Sequence, residues 1–341
     1  MQGRKTVLSG VQPSGELHIG NYYGAMLQFP ALASDPENLA MVFVANLHAQ
    51  TTREGLDTLE RCTIEIVQWY LALGLDPQRD IVYAQSSVPE TTTLNWLLSC
   101  FTRVQDMTET DQFRDKASAQ AAKGEITSFG LAGYPVLMAA DILGPGADIV
   151  PVGEDQRQHL EIARNLAVRV NRYFEEDIFP IPEMQVSSSA RVMSLSDPKK
   201  KMSKSEPDGA VFLTDAPRVI REKLTRRWTH TGDRAALCDQ GSPDKCNVFD
   251  MHVQFTEVAR LSQIRGDCVS GSSKFGCSAC KGIVAERVIA DIAPLQERHR
   301  EVVALGEDYV RDILREGGKR ARAMVAPRVE RLMHFMGTPF F

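Results

Sequence analysis

Short unbroken apolar runs, set between longer stretches of helical spacing, dominate the first half of the chain. Lys5-Thr6-Val7-Leu8-Ser9-Gly10-Val11 is aliphatic and β-branched, and it ends on small residues that let a ligand approach the backbone. Leu39-Ala40-Met41-Val42-Phe43-Val44 is continuously apolar, as a strand buried on both faces requires, and leads to Asn46, Leu47 and His48. A helix over 56–73 with a stop at Gly74-Leu75-Asp76-Pro77, then strands at Ile81-Val82-Tyr83-Ala84 and Ile149-Val150-Pro151-Val152, continue the alternation. The fold class predicted is α/β, a doubly wound parallel sheet with ligands at the carboxyl edge of its strands. Residues 91–130 turn helical and more polar, which predicts an insertion between the halves of the sheet. From Ile283 onward, through an Arg-rich segment over 311–331, the pattern is helical to the end.

With 341 residues the chain has room for a large core and a smaller appendage. The pattern divides it into 1–195, which includes the insertion at about 91–130, and a helical 196–341. A net charge of −5 excludes a protein coated in basic surface, so nucleic acid would have to meet local patches. Arg218, Arg221, Lys223, Arg226 and Arg227 form one such patch on a predicted helix, suited to nucleic-acid phosphates, with an ordinary solvated face as the alternative. No apolar run is long enough to span a bilayer and none opens the chain as a leader, so the protein reads as cytoplasmic, with no membrane partner. Seven cysteines without a secretory segment fit thiols or metal thiolates better than disulfides.

Residues 199–205 read Lys-Lys-Lys-Met-Ser-Lys-Ser between Pro198 and Pro207. Four ammonium groups and two hydroxyls on a mobile loop suit a nucleotide polyphosphate, although a bare lysine run is also what a solvated turn looks like. Near the start, Pro13-Ser14-Gly15-Glu16-Leu17-His18-Ile19-Gly20-Asn21 follows the first strand and opens a helix, where α/β folds hold phosphates. His18-Ile19-Gly20-Asn21 resembles the HIGH signature of class I aminoacyl-tRNA synthetases, and Lys201-Met202-Ser203-Lys204-Ser205 matches its KMSKS partner letter for letter.

Tyr134-Pro135-Val136-Leu137-Met138-Ala139-Ala140-Asp141 carries the most informative side chains. Pro135 suits a first helical turn, which puts Tyr134, Met138 and Asp141 at i, i+4 and i+7 on one face. An acid on an apolar face needs a partner, either a neighbour in the fold or a ligand with a donor. Indole has one N–H donor and no acceptor, so a carboxylate beside a thioether and an aromatic ring is its complement. This stretch, continued by Ile142 and Leu143, and Gly153-Glu154-Asp155-Gln156-Arg157-Gln158-His159 are similar to the bacterial tryptophanyl-tRNA synthetases, with likeness over nearly the whole chain. Leu8, where an aromatic is common, and Ala45, where a larger residue is frequent, are departures in the pocket wall.

The resemblance implies a Rossmann-like catalytic domain over 1–195, with 196–341 carrying the KMSKS loop and a helical anticodon-binding domain. It implies ATP with Mg²⁺, L-tryptophan and tRNA(Trp) as reaction partners, and a homodimer built largely on the insertion. Asp141 would take the indole N–H, with Tyr134, Met138, Val150, Val152 and Gly10 around the amino acid and Gln156 at its polar end. Gln12, Pro13, Ser14, Gly20 and Asn21 would contact ATP; Gly153, Glu154 and Asp155 its ribose; Val192 its adenine. Lys201 and Lys204 would neutralise the leaving phosphates, with Met202, Ser203 and Ser205 beside them and His18 donating to a phosphate oxygen. A tyrosine-specific relative and a non-catalytic, synthetase-like tRNA-binding protein are the alternatives, and the four lysines argue against the second.

Cys246, Cys268, Cys277 and Cys280 give the spacing C-x21-C-x8-C-x2-C, one close pair and two distant thiols able to surround a single metal centre. Zinc ribbons supply two close pairs instead. The resemblance extends to a subset of these synthetases with a 4Fe-4S cluster in this region; zinc and plain thiols stay as alternatives. Cys238 lies nearby as a spare, and Cys62 and Cys100 read as core.

Overall fold

The computed structural model describes residues 3–13, 15–52, 55–122, 124–186, 192–204 and 206–339, the side chains of Thr52, Asp155 and Val186 excepted. Two compact units emerge, both discontinuous in sequence. One comprises Met1–Gly15, Gln28–Ser188 and Val302–Phe341, the other Glu16–Leu27 and Ser189–Glu301.

The first unit holds a five-stranded sheet in the order β3-β2-β1-β4-β5, formed by β1 Lys5–Val11, β2 Asn38–Val44, β3 Ile81–Ala84, β4 Ile149–Val152 and β5 Glu183–Val186. Every pairing is parallel. β2 is buried at every position, which is why its sequence shows no polar alternation. β1 runs beside β2 along its whole length but meets β4 only at Val7 and Ile149, so a crevice opens where the strand order reverses. Gly10, Gln12 and Gly153 stand at that edge. The insertion is helical as predicted, with helices Glu90–Ser99, Val104–Thr108 and Asp111–Ala122. Trp96 there is 70% exposed. Cys62 is buried, whereas Cys100 is exposed at the C-cap of its helix, so the core assignment for Cys100 is corrected.

Pro135 is also corrected: it lies inside helix Phe129–Leu143, not in its first turn. Ser128 starts that helix earlier, its hydroxyl accepting from Leu131 N at 3.2 Å, which is the N-cap signal that sequence reasoning passed over. Tyr134, Met138 and Asp141 keep their shared face because the helical register is unchanged.

Helix Glu307–Phe335 lies against β3, the edge strand. Contact is close at Gly317, where a Cβ would stand 1.8 Å from the carbonyl oxygen of Val82, and at Gly318, where it would meet the Ser87 hydroxyl. The arginines of this segment face the unit they belong to. Arg320 donates to the carbonyls of Pro77 and Asp80 at 2.8 Å, Arg328 to that of Pro145 at 3.0 Å, and Arg322 pairs with Glu90.

In the second unit, residues 17–19 pair with 211–213: Ile19 N donates to Val211 O at 2.9 Å and Leu213 N to Leu17 O at 2.8 Å. Helix Ile19–Gly24 follows. Helices Asn247–Phe255, Val258–Ser270 and Cys277–Ala304 build the cysteine region. The basic patch falls on helix Pro217–Glu222 and the wider turn Lys223–Arg227. Several of its charges are already paired: Arg221 with Glu286, Lys223 with Asp215, and Arg227 with Asp208 and Glu222.

Candidate functional site

In the first unit the chemistry gathers at the carboxyl ends of the strands. Asp141 is 4% exposed, yet its carboxylate has protein donors on both oxygens. Gln85 Nε2 lies 2.9 Å from Oδ1 and 2.9 Å from Oδ2, and His48 Nε2 lies 2.9 Å from Oδ2. His48 sits in the helical turn Asn46–Ala49 that follows β2, and Gln85 directly follows β3, so three elements converge on one acid. Burial pushes the Asp141 carboxyl above its usual range, and the hydrogen bonds from His48 and Gln85 pull it back toward the ionised form.

Around it, Tyr134, Val150 and Val152 are buried and Met138 is half-buried. The Tyr134 hydroxyl lies 2.7 Å from His159 Nε2 and 3.2 Å from Gln112 Oε1, and His159 Nδ1 lies 3.1 Å from Gln156 Oε1. His159 thus bridges the Tyr134 hydroxyl and the Gln156 side chain, so one imidazole ties the aromatic wall to the predicted polar-end contact. The Lys116 ammonium stands 4.5 Å from the Tyr134 ring centroid. A Cβ at Gly10 would lie 2.7 Å from the Phe43 ring, so only glycine fits there. Pro13 is buried and Gln12 exposed; Glu154 is exposed and gripped by Arg157 at 2.6 and 2.8 Å. Ser14 and Ser205, and the side chain of Asp155, lie outside the described residues.

Both signature motifs fall in the second unit. Asn21 Oδ1 accepts from His18 N at 3.0 Å, closing the first turn of the helix. A Cβ at Gly20 would stand 2.8 Å from His18 Nδ1 and 3.7 Å from Met202 Cβ, so the bare glycine lets the two motifs meet. The lysine stretch differs from a free loop at its N-terminal half. Ser194 N donates to Lys200 O at 2.8 Å and Met202 N to Val192 O at 3.0 Å, making a small hairpin that buries Val192 and Met202 and carries Lys201, Ser203 and Lys204 on its outgoing arm. Burial, with the Lys204 charge second, pulls the His18 imidazole down to about 4, so at neutral pH it is an uncharged ring.

Cys246, Cys268, Cys277 and Cys280 line one small cavity of about 30 Å³, whose other walls include Val248, Phe249, Ile264 and Phe275. Burial first, then the neighbouring thiols, push Cys280 up to about 12. Among the described residues no three His, Cys, Asp or Glu side chains stand close enough to hold one metal ion.

Sequence reasoning brought Asp141, Tyr134 and Met138 together and missed Gln85 and His159. For Gln85 the signal was position, directly beyond the end of β3 at the crevice edge, whereas His159 lies in the first turn of helix Arg157–Phe174.

The family model described as tRNA synthetases class I (W and Y) matches residues 1–290. The chain is 37% identical over 343 residues to the tryptophan–tRNA ligase of Clostridium tetani, covering 98% of this chain and 96% of that protein. It is 38% identical over 332 residues to that of Thermosynechococcus vestitus, covering 96% and 97%. Among solved structures, the tryptophanyl-tRNA synthetase from Campylobacter jejuni complexed with ADP and tryptophan is 32% identical with a TM-score of 0.79, covering 97% of this chain and 99% of that one. The enzyme from Mycoplasma pneumoniae is 28% identical with a TM-score of 0.82, covering 98% of each. No helix among the described residues is long and apolar enough to cross a membrane.

Proposed function

We infer that this chain, which belongs to the class I tRNA synthetases for tryptophan and tyrosine, activates L-tryptophan with ATP and passes it to the 3′ end of tRNA(Trp). The observation that carries the choice of amino acid is the buried Asp141 carboxylate set among Tyr134, Met138, Val150 and Val152. An indole N–H pairs with it, whereas a phenylalanine ring leaves a buried anion short of a donor. Gln156, held by His159, meets the polar end of the amino acid.

In the first step the tryptophan carboxylate attacks the α-phosphorus of ATP in line, forming the aminoacyl-adenylate and releasing pyrophosphate. In the second, a hydroxyl of the terminal ribose attacks the activated carbonyl and adenylate leaves. The protein supplies placement and charge. Lys201 and Lys204, with Ser203 and Ser205, neutralise the departing phosphates, and His18 donates to one as a neutral ring. Mg²⁺ arrives with ATP and is held mainly by the phosphates. Gln12, Pro13, Ser14, Gly20, Asn21, Gly153, Glu154, Asp155, Val192 and Met202 complete the nucleotide contacts in this reading. Residues 1–195 do the chemistry on the small substrates, and 196–341 supply the lysine hairpin and the anticodon side.

Exposed Trp96, Ile126 and Phe129 on and beside the insertion support a homodimer, and the substrates place the enzyme in the cytoplasm. The thiol cage of Cys246, Cys268, Cys277 and Cys280 supports a 4Fe-4S cluster, which when bound would cross-link the helices bearing those residues. Iron and sulfide analysis of anaerobically purified protein tests this, and a colourless, zinc-loaded sample would remove it. Pyrophosphate exchange with tryptophan, tyrosine and phenylalanine, followed by charging of total tRNA, tests the main conclusion; exchange driven by tyrosine would transfer it to the tyrosine enzyme.

A further inference from the structure

Gln85 is 1% exposed, and its side-chain amide is held at both ends. Its Oε1 accepts from the backbone N–H groups of Leu47 and His48 at 3.0 and 3.3 Å, and its Nε2 stands 2.9 Å from each oxygen of Asp141. Turning the amide over would set a carbonyl against a carboxylate and an NH2 group against two N–H donors, so chemistry on both sides fixes its orientation. His48 Nε2 adds a second donor to Oδ2 at 2.9 Å. A carboxylate oxygen has about two acceptor sites. Oδ2 has both in use, and Oδ1 has one.

We propose that Gln85 is a positioning residue for amino-acid selection: seated astride the carboxylate, it fixes Asp141 so that Oδ1 presents one open acceptor to the ring N–H of the incoming amino acid. The proposal rests on the reading that Asp141 receives the indole and deepens it. A carboxyl group pivots readily about its terminal torsion, and His48, touching one oxygen, leaves that pivot free. Contact with both oxygens removes it. Gln85 is itself anchored on the backbone that carries His48, so the two donors and the acid form one rigid set. A ring without a donor then leaves a correctly aimed acceptor unpaired, and this makes the discrimination sharp.

The test compares pyrophosphate exchange with tryptophan and with its isostere in which sulfur replaces the ring N–H, using the wild-type chain, Gln85→Glu and Gln85→Met. Gln85→Glu keeps an acceptor for the Leu47 and His48 N–H groups but sets a second carboxylate against Asp141. Gln85→Met fills the same space with neither group. In both variants kcat/KM for tryptophan falls about tenfold to a hundredfold, mainly through KM, while the sulfur isostere changes by less than about threefold, so the wild-type preference collapses. Equal losses for both substrates, or an unchanged preference, would overturn the proposal and leave Gln85 a packing residue. Should one variant fail to fold, the other gives the same ratio. A wild-type chain that activates both substrates equally would instead sink the assignment of Asp141 itself.

Discussion

Asp141 was legible in the sequence as an acid at helical spacing from Tyr134 and Met138. Its pairing with His48 and Gln85 was not, because they are 93 and 56 residues away and only the sheet brings them close. A carboxyl raised by burial costs the fold stability once pH exceeds the unfolded value, since the native state would rather hold the proton. Asp141→Asn should therefore melt at or above the wild-type temperature at pH 7, with the difference shrinking as pH falls toward the ordinary carboxylate range, while selection against phenylalanine is lost. Calorimetry across pH and exchange assays check the two halves. His18 works in the opposite sense. Its imidazole, drawn down to about 4 in the folded chain against 6.5 unfolded, takes up a proton only on unfolding between those values, so stability is lost as pH drops through that window. His18→Gln should flatten that slope in part; His299, also lowered to about 4 by burial, and His230 and His252, lowered by burial as well, keep the remainder.

Strands β1 to β4 were readable because runs buried on both faces admit little but aliphatic residues, and β5 went unread because Glu183 and Gln185 break that pattern. Pro135 misled because proline is far commoner at a helix start, yet Ser128 had already supplied one. In helix Glu307–Phe335 the pair Gly317-Gly318 lowers helix propensity by about 1 kcal/mol each against alanine. The strand it lies against explains the choice. Gly317→Ala should cost roughly 1–3 kcal/mol despite its better helix propensity, because the methyl must displace the Val82 carbonyl; urea titration would show it, and a neutral result would mean that the helix can lift without penalty. The lysine hairpin gives a prediction of its own kind. Lys204→Ala should lower the activation rate by roughly 3 kcal/mol in barrier height, the effect of one lost transition-state charge contact, and leave tryptophan binding nearly unchanged. Single-turnover adenylate formation set against equilibrium dialysis separates these.

Across the whole molecule, family resemblance and pattern gave the class of sheet and the two motifs, whereas the assembly of four distant cysteines around one cavity is a product of tertiary packing that spacing only suggested. The C-terminal arginines, legible in the sequence only as an Arg-rich helical segment, spend themselves on carbonyls and carboxylates of the first unit. Ending the chain at residue 305 should consequently give insoluble or strongly heat-sensitive protein, because Ala321, Val325, Val329, Leu332 and Met333 leave the core of that unit and β3 loses its cover. Solubility and melting of the shortened chain decide this.

That helix is made after all five strands of the sheet it covers. While the ribosome is still translating, the outer strand of an otherwise complete sheet waits bare, and it is closed only when helix Glu307–Phe335 has cleared the exit tunnel. A stalled or prematurely terminated message should therefore yield a sticky product that chaperones or proteases must handle, and not a smaller working enzyme.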